Sequence, residues 1–147
     1  MRSVRLRAGD RDLARALFAL MANVFGEECD VLSDAYLDRL LSREEFLAIA
    51  AFHGDQLIGG VTAHVLPMTR AETSEVFIYD IAVQSDHQRT GVGRALVADL
   101  RAIAAADGIH DVFVLADNAD VHALDFYRAL GGVAAPVTSF TLARRDK

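Results

Sequence analysis

The sequence has little cysteine, proline or tryptophan, and these shortages exclude several classes of protein. Of its 147 residues, one is cysteine (Cys29), two are proline (Pro67 and Pro136) and none is tryptophan. A single cysteine excludes an internal disulfide and any cysteine-based metal cluster. No repeat, low-complexity tract or linker interrupts the chain. We therefore expect one domain over residues 1–147, long enough to bury a hydrophobic core.

Long apolar runs, excess basic charge and paired histidines are missing as well. No apolar run approaches the roughly 18 residues of a membrane span, and the N-terminal M-R-S-V-R-L-R lacks the apolar segment of a signal peptide. We expect no membrane association and a cytoplasmic location. The net charge of −6 disfavours a nucleic-acid partner and favours a cationic small molecule. The five histidines show no H-x-x-x-H spacing, so no metal site is expected.

Periodicity along the chain predicts strands and helices in the order βααβββαβαβ. Asp10 and Ser33 are the predicted N-caps of the first two helices. The apolar runs Phe46–Phe52 and Gln56–Leu66 are joined by H-G-D, which is a hairpin signal. The alternating V-T-S-F-T-L-A of Val137–Ala143 predicts a last strand, and the final R-R-D-K is expected to be a frayed tail.

The most informative segment is the turn V-Q-S-D-H-Q-R-T-G-V-G-R from Val83 to Arg94. It follows an apolar run typical of a buried strand and precedes an amphipathic helix pattern that ends at Gly108. A strand, a glycine turn and a helix N-terminus can bind phosphate, because glycine permits close backbone approach and the first helical N–H groups can point at an anion. The Walker and Rossmann patterns do not fit these residues. The alternative is an ordinary turn before a helix.

The spacing Q-x-x-G-x-G from Gln88 to Gly93 resembles the acetyl-CoA pyrophosphate loop of the GNAT superfamily of N-acetyltransferases. Asn118, Tyr127 and Leu130–Gly131 match the pattern that follows in that superfamily. The resemblance implies an α/β (α+β) GNAT fold, with a mixed, twisted central sheet flanked by helices on both faces. It implies acetyl-CoA as cosubstrate. The residues expected to bind it are Ile81, Val83, Gln88, Arg89, Thr90, Gly91, Val92, Gly93, Arg94, Asn118 and Tyr127.

Asp80 is the most unusual residue, because it interrupts the otherwise apolar strand V-F-I-Y-D-I-A-V. A carboxylate there loses hydration and needs a compensating partner. One interpretation is a structural aspartate at a bulge, bonded to backbone N–H groups. The other is an acid in a cleft, where desolvation raises its pKa and it holds an ammonium or accepts its proton. The neighbouring Tyr79 is either core or a pocket wall.

Most of the chain resembles, more closely, the aminoglycoside 3-N-acetyltransferases of the gentamicin-resistance type. The likeness rests on Ser74–Val83, Phe46–Phe52, Val65–Pro67 and Ala116–Asp120, while Asn118 and His122 depart from the pattern. It implies a polycationic aminocyclitol antibiotic as acceptor, acetylated at the 3-amino group of deoxystreptamine. The residues expected to bind this substrate are Glu27, Glu28, Asp30, Glu75, Tyr79, Asp80, Asp117 and Asp120. For each exposed acid a solvated surface charge is the alternative, and Asp120 could be the N-cap of the last helix.

The resemblance implies a direct transfer in a ternary complex, since no nucleophile for a covalent intermediate is evident. Asp80 is the expected base, acting directly or through water, and the backbone N–H near Ile81 is expected to polarise the thioester carbonyl. Tyr127 is expected to protonate the leaving thiolate, although it could instead be core. Two rival functions stay open: an acetyltransferase for another small amine, such as a polyamine or amino acid, and a non-catalytic acyl-CoA sensor. The sequence leaves both a monomer and a homodimer open.

Overall fold

The computed structural model describes residues 1–144, which form five strands and four α-helices. The strands are β1 (Arg2–Arg5), β2 (Phe46–His53), β3 (Gln56–Pro67), β4 (Ser74–Val83) and β5 (Asp111–Val114). The helices are α1 (Arg11–Val24), α2 (Asp34–Leu41), α3 (Val92–Ala106) and α4 (Val121–Ala129), and a 3₁₀ turn spans Ser85–His87. The predicted order is confirmed as far as α4. None of the helices in this described range is long and apolar enough to cross a membrane.

The predicted last strand at Val137–Ala143 is wrong, because residues 133–144 form no strand. The large apolar side chains of this segment are mostly exposed, at 72% for Val137, 83% for Phe140 and 92% for Leu142. An alternating pattern shows which face each side chain would take, but a strand forms only where a neighbour pairs with its backbone groups. The predicted tail at residues 145–147 lies outside the described part of the chain.

The chain divides into two compact units. The first runs from Met1 to Leu115 and contains the five strands and helices α1 to α3. The second begins at Ala116 and contains α4. That residues 1–147 make up one domain stays a prediction.

The five strands form one mixed sheet in the order β1-β2-β3-β4-β5. Neighbouring strands from β1 to β4 are antiparallel, and β5 lies parallel to β4. The register between β3 and β4 shifts by one residue, since Thr62 pairs with Asp80 and Ala63 pairs with Ile78. Tyr79 is therefore the extra residue of a β-bulge, a feature that changes the direction of side chains within a strand.

Helices cover both faces of the sheet, which confirms the predicted fold class. On one face α3 contributes Leu96 and Leu100 to a core with Val61 and Val76. On the other face α1 and α2 pack through Leu17 and several further side chains against the small residues of the sheet. The members of this second core include Met21, Leu37, Ala48, Ala50 and Ala82.

Helix α1 lies close to the sheet because β3 carries a glycine beneath it. A Cβ on Gly60 would lie 2.5 Å from Cδ1 of Leu17 and 2.7 Å from the carbonyl oxygen of Ile49. Gly60 pairs with Ala82 of β4, so α1 covers the sheet near the end of β4. Nearer the start of β4 the same face carries exposed side chains, including Tyr79 at 61% and Phe113 at 37%.

Ion pairs join α1 and α2, the two helices on either side of the acidic loop at residues 25–33. The guanidinium of Arg11 binds both carboxylate oxygens of Asp38, at 2.6 and 2.8 Å, and the hydrogen bond lowers the pKa of Asp38. Ser33 is confirmed as the N-cap of α2, since its hydroxyl accepts a hydrogen bond from the N–H of Tyr36 at 3.1 Å. Asp10 occupies the N-cap position of α1, but its carboxylate accepts from the N–H of Arg7 instead.

Candidate active site

Asp80 lies half-buried on the sheet face that α1 and α2 cover in part. It pairs with Thr62 of β3, next to the bulge at Tyr79. Burial raises the pKa of Asp80, and the negative charge of Glu27 raises it further. Within residues 1–144, no hydrogen bond or ion pair reaches its carboxylate. The interpretation as a structural aspartate requires backbone donors, so the surroundings of Asp80 favour the interpretation as an acid in a cleft.

The bulge brings Tyr79 onto the same face as Asp80. The Tyr79 ring contacts the ring of His64 edge-on, with centroids 5.7 Å apart, and that of Phe77 at 6.0 Å. His64 and Thr62 are two residues apart on β3 and therefore share a face, as His64 and its partner Phe77 do. With 61% of its surface exposed, Tyr79 is not a core residue, and the interpretation as a pocket wall stays a prediction.

Four of the predicted acidic residues lie with Asp80 in the first unit: Glu27, Glu28, Asp30 and Glu75. Glu27 follows α1, and its electrostatic effect on Asp80 places the loop near that carboxylate. Glu75 shares its side of β4 with Phe77 and pairs with Asp111 of β5. Sequence reasoning missed Asp111, because only the parallel register of β5 brings it opposite Glu75. Glu28 and Asp30 are exposed in the same loop as Glu27, and their part in binding stays a prediction.

Four predicted residues belong to the second unit, and their place near Asp80 stays a prediction: Asp117, Asn118, Asp120 and Tyr127. Asp120 caps α4 by accepting from the N–H of Ala123 at 3.1 Å, so the N-cap alternative is confirmed. The carboxylate of Asp117 accepts from the N–H of Ala119 at 2.9 Å. Asn118 is exposed, and the half-buried Tyr127 ring lies 5.1 Å from that of Phe126.

The predicted phosphate loop has a left-handed backbone at two positions. Arg89 has φ 62°, which is rare for a residue with a side chain, and Gly91 has φ 89° at the N-cap of α3. The side-chain amide of Gln88 donates to the carbonyl of Val83 at 2.9 Å, and the hydroxyl of Thr90 donates to that of His87. These side chains hold the loop against the end of β4. Because Gly91 caps α3 without a side chain, the first turn of the helix faces the loop with its N–H groups.

Strand β4 has an open edge beyond the end of β5. The last pair between the two strands is Ile78 with Val114, whereas β4 continues to Val83. The N–H of Gln84 donates to Ile58 of β3, so alternation directs the backbone groups of Ala82 to β3 and those of Ile81 and Val83 to the open side. No strand in the described part of the chain pairs with this edge, which can therefore bind an extended ligand with amide groups.

The open edge and the loop are continuous, and together they fit acetyl-CoA. The loop provides N–H groups and the charge of Arg89 for a diphosphate, while the edge at Ile81 and Val83 provides partners for an amide-bearing arm. The side chain of Val92 is buried in the core, so only its backbone can contribute. No group of three or more His, Cys, Asp or Glu side chains within residues 1–144 is placed to hold a metal ion.

The family is established by sequence comparison. The profile described as "Acetyltransferase (GNAT) family" matches residues 13–131. The chain belongs to this family. Its members use acetyl-CoA, and the protein is an acyltransferase. This match confirms the prediction, based on the glycine loop, that the chain belongs to the GNAT superfamily. No curated protein has significant sequence similarity to the chain.

Solved structures agree with the family assignment. An aminoglycoside acetyltransferase from an uncultured soil metagenomic sample is 32% identical, with a TM-score of 0.92 over 97% of both chains. A second enzyme described in the same way, crystallised with sisomicin, is 29% identical, with a TM-score of 0.92 over 98% of this chain and 96% of its own. AAC(6')-Iy, in complex with a bisubstrate analogue of CoA, is 17% identical with a TM-score of 0.80 over 97% of both chains, and supports the fold alone.

Proposed function

We propose that the protein transfers an acetyl group from acetyl-CoA to an amine of an aminoglycoside, with the 3-amino group of deoxystreptamine as the preferred site. The observation that carries this proposal is the unpartnered Asp80 carboxylate on an open face, with Glu27 close enough to raise its pKa. Within residues 1–144 neither of these negative groups has a cationic partner, and together they form a site for an ammonium-bearing ligand. The similarity to soil aminoglycoside acetyltransferases supports the class of acceptor.

Asp80 is proposed to receive a proton from the acceptor amine. An amine attacks only in its neutral form, so the ammonium that binds must first lose a proton. Burial makes Asp80 a stronger base than an exposed aspartate, while the bound cation moves its pKa back down. The proton passes directly or through a water molecule, and Glu27 helps to hold the remaining ammonium groups.

The open edge of β4 is proposed to orient the acetyl donor. Bound acetyl-CoA supplies the activated acetyl thioester. The N–H of Ile81 points to the open side and would stabilise the negative charge that develops on the carbonyl oxygen. Tyr127 is proposed to protonate the departing thiolate, a modest contribution because a free thiol has a pKa of about 8.5. The transfer is proposed to be direct, without a covalent enzyme intermediate. Cys29, exposed between α1 and α2, therefore has no part in the proposed reaction.

The proposal predicts the outcome of a thiol-release assay with a panel of amines. With acetyl-CoA, the purified protein should turn over gentamicin, sisomicin or kanamycin with kcat/KM at least about tenfold above spermidine or free amino acids. This preference follows because several acidic groups around Asp80 can bind several ammonium groups at once. Expression in a susceptible bacterium should also raise its tolerance to the best drug.

Two outcomes of the panel would contradict the proposal. Turnover of spermidine without turnover of any deoxystreptamine drug would assign the protein to polyamine acetylation. Binding of acetyl-CoA without thiol release from any amine would identify an acyl-CoA sensor.

A further inference from the structure

We propose that a row of rings beside Asp80 binds the ring bodies of the acceptor and selects a cyclic polyammonium over an acyclic one. This inference rests on the proposed function and names the surface that would give it specificity. The row, hereafter the aromatic row, consists of Phe46, His64, Phe77, Tyr79 and Phe113. All five residues lie in the first unit.

The aromatic row crosses the sheet in register. Phe46 pairs with His64, His64 with Phe77, and Phe77 with Phe113, so four strands each contribute one ring to the same face. The rings of Phe46 and His64 lie 5.3 Å apart, and those of Phe77 and Phe113 are stacked at 5.0 Å with planes 13° apart. Tyr79, the bulge residue, contacts both His64 and Phe77 edge-on.

The row is covered at one end and open at the other. Phe18 of α1 contacts Phe46 edge-on at 6.4 Å, so the helix shields the inner end. Toward β5, Phe113 is 37% exposed and Tyr79 is 61% exposed, and Leu115 beyond them is 60% exposed. A contiguous apolar surface of this kind is uncommon on a protein without a ligand or partner for it.

Acidic groups flank the open end on both sides. Asp80 is next to Tyr79 in sequence, with Glu27 near it. Two residues before Phe77 on β4, Glu75 pairs with Asp111, so both of these acids lie one row beyond the stacked rings. The order along the face is acid, ring, acid. A molecule with ammonium groups on rigid saturated rings matches this order, since its charges can meet the carboxylates while its ring faces lie on the aromatic side chains.

Aromatic rings suit such a ligand better than aliphatic side chains would. The negative face of an aromatic ring attracts an ammonium and the polarised C–H groups beside it. The edge-on contacts of Tyr79 also fix its ring before the ligand arrives, which lowers the entropy lost on binding. An acyclic polyamine can bind the acids but has no ring face to lie on the row. The aromatic row is therefore expected to affect KM for ringed acceptors.

Kinetics of leucine variants test the inference. Phe113→Leu and Tyr79→Leu keep an apolar side chain but remove the ring. Each should raise KM for gentamicin or sisomicin by about fivefold to tenfold, with kcat and KM for acetyl-CoA changed by less than about twofold. Turnover of spermidine, where it is measurable, should hardly change. Phe52→Leu is the matched control, since Phe52 lies in the same unit, outside the row and six residues from Phe46 along β2, and it should leave every kinetic constant unchanged.

The outcomes separate the inference from the proposed function. If the unaltered protein acetylates no aminoglycoside, the proposed function fails. If it does so and both leucine variants keep KM for the drug within twofold of the unaltered enzyme, the inference fails. It fails as well if Phe52→Leu raises KM equally. It also fails if sedimentation shows that Phe113→Leu dissociates a dimer without changing KM, because the row would then be covered by a second copy of the chain.

Discussion

Asp80→Asn is expected to lower kcat/KM for the best aminoglycoside by about a hundredfold or more, the scale of lost general base catalysis. The substitution keeps the size of the side chain and removes both its charge and its ability to accept the amine proton. Affinity for acetyl-CoA should stay within about twofold, because the backbone groups of Asp80 point to β3 and not to the open edge of β4. Steady-state kinetics and calorimetry measure the two quantities separately.

A matched acid shows whether the loss is specific to this position. Asp55 lies exposed in the turn between β2 and β3, so Asp55→Asn changes the net charge equally at a distant site. It should leave kcat/KM within about twofold. If a folded Asp80→Asn enzyme keeps kcat/KM within threefold of the unaltered protein, Asp80 is a structural residue at the bulge. A water molecule, or the drug's own amines, would then have to accept the proton.

The pH dependence of activity gives a second readout for Asp80. Because burial and Glu27 raise its pKa, kcat/KM should increase with pH over a range above the ordinary carboxyl value. The Asn variant should lose this ascending limb. Acceptors whose amines differ in basicity distinguish the sources, since a limb that moves with the acceptor reports the drug amine and a fixed limb reports the enzyme.

The raised pKa of Asp80 also affects stability. The folded protein binds this proton more tightly than the unfolded chain, so its free energy of unfolding falls as pH rises from the ordinary carboxyl pKa through the raised one. Asp80→Asn removes that cost. The variant should therefore unfold at the same or a higher temperature than the unaltered protein at neutral pH, which shows that a loss of activity does not come from unfolding.

Gly91→Val is expected to weaken acetyl-CoA binding by at least about tenfold. Gly91 has φ 89°, a conformation that a β-branched residue strongly disfavours, so valine would move the start of α3 and its N–H groups. A Cβ at this position meets no atom within 4 Å, so crowding is not the cause. Gly93 has no positive φ, and Gly93→Val should weaken binding for a different reason, by blocking the approach of the diphosphate.

Gly108→Val is the matched control for Gly91→Val. Gly108 has φ 75° and equally open surroundings, but it follows the opposite end of α3. The two valine variants should lose similar stability, and only the change at Gly91 should weaken acetyl-CoA binding. If calorimetry gives equal affinities for acetyl-CoA for the two folded variants, the loop is not part of the acetyl-CoA site.

Features determined by neighbouring residues in the chain could be predicted from the sequence. The glycine spacing of the loop, the Ser33 cap and the order of elements up to α4 depend on local backbone preferences. Asp80 could be singled out because a carboxylate is unusual in an apolar strand. The sequence left Asp120 with two interpretations, a substrate-binding acid or the N-cap of the last helix. Its carboxylate accepts a hydrogen bond from the N–H of Ala123, which confirms the N-cap.

Features determined by strand register could not be predicted. The bulge that makes Tyr79 an extra residue arises from the pairing of β3 with β4. Asp111 meets Glu75, and Phe113 stacks on Phe77, only because β5 pairs with β4 in one particular parallel register. The failure at Val137–Ala143 has the same origin, since its alternation contains no information on whether a partner strand is within reach.

The acetylated product tests the central claim most directly. The purified protein is incubated with acetyl-CoA and gentamicin or sisomicin, and the product is analysed by mass spectrometry and NMR. The proposed function predicts one added acetyl group on the 3-amino group of deoxystreptamine, formed in equal amount to the CoA released. Unmodified drug, in a reaction where the same protein acetylates spermidine or only binds acetyl-CoA, would contradict it.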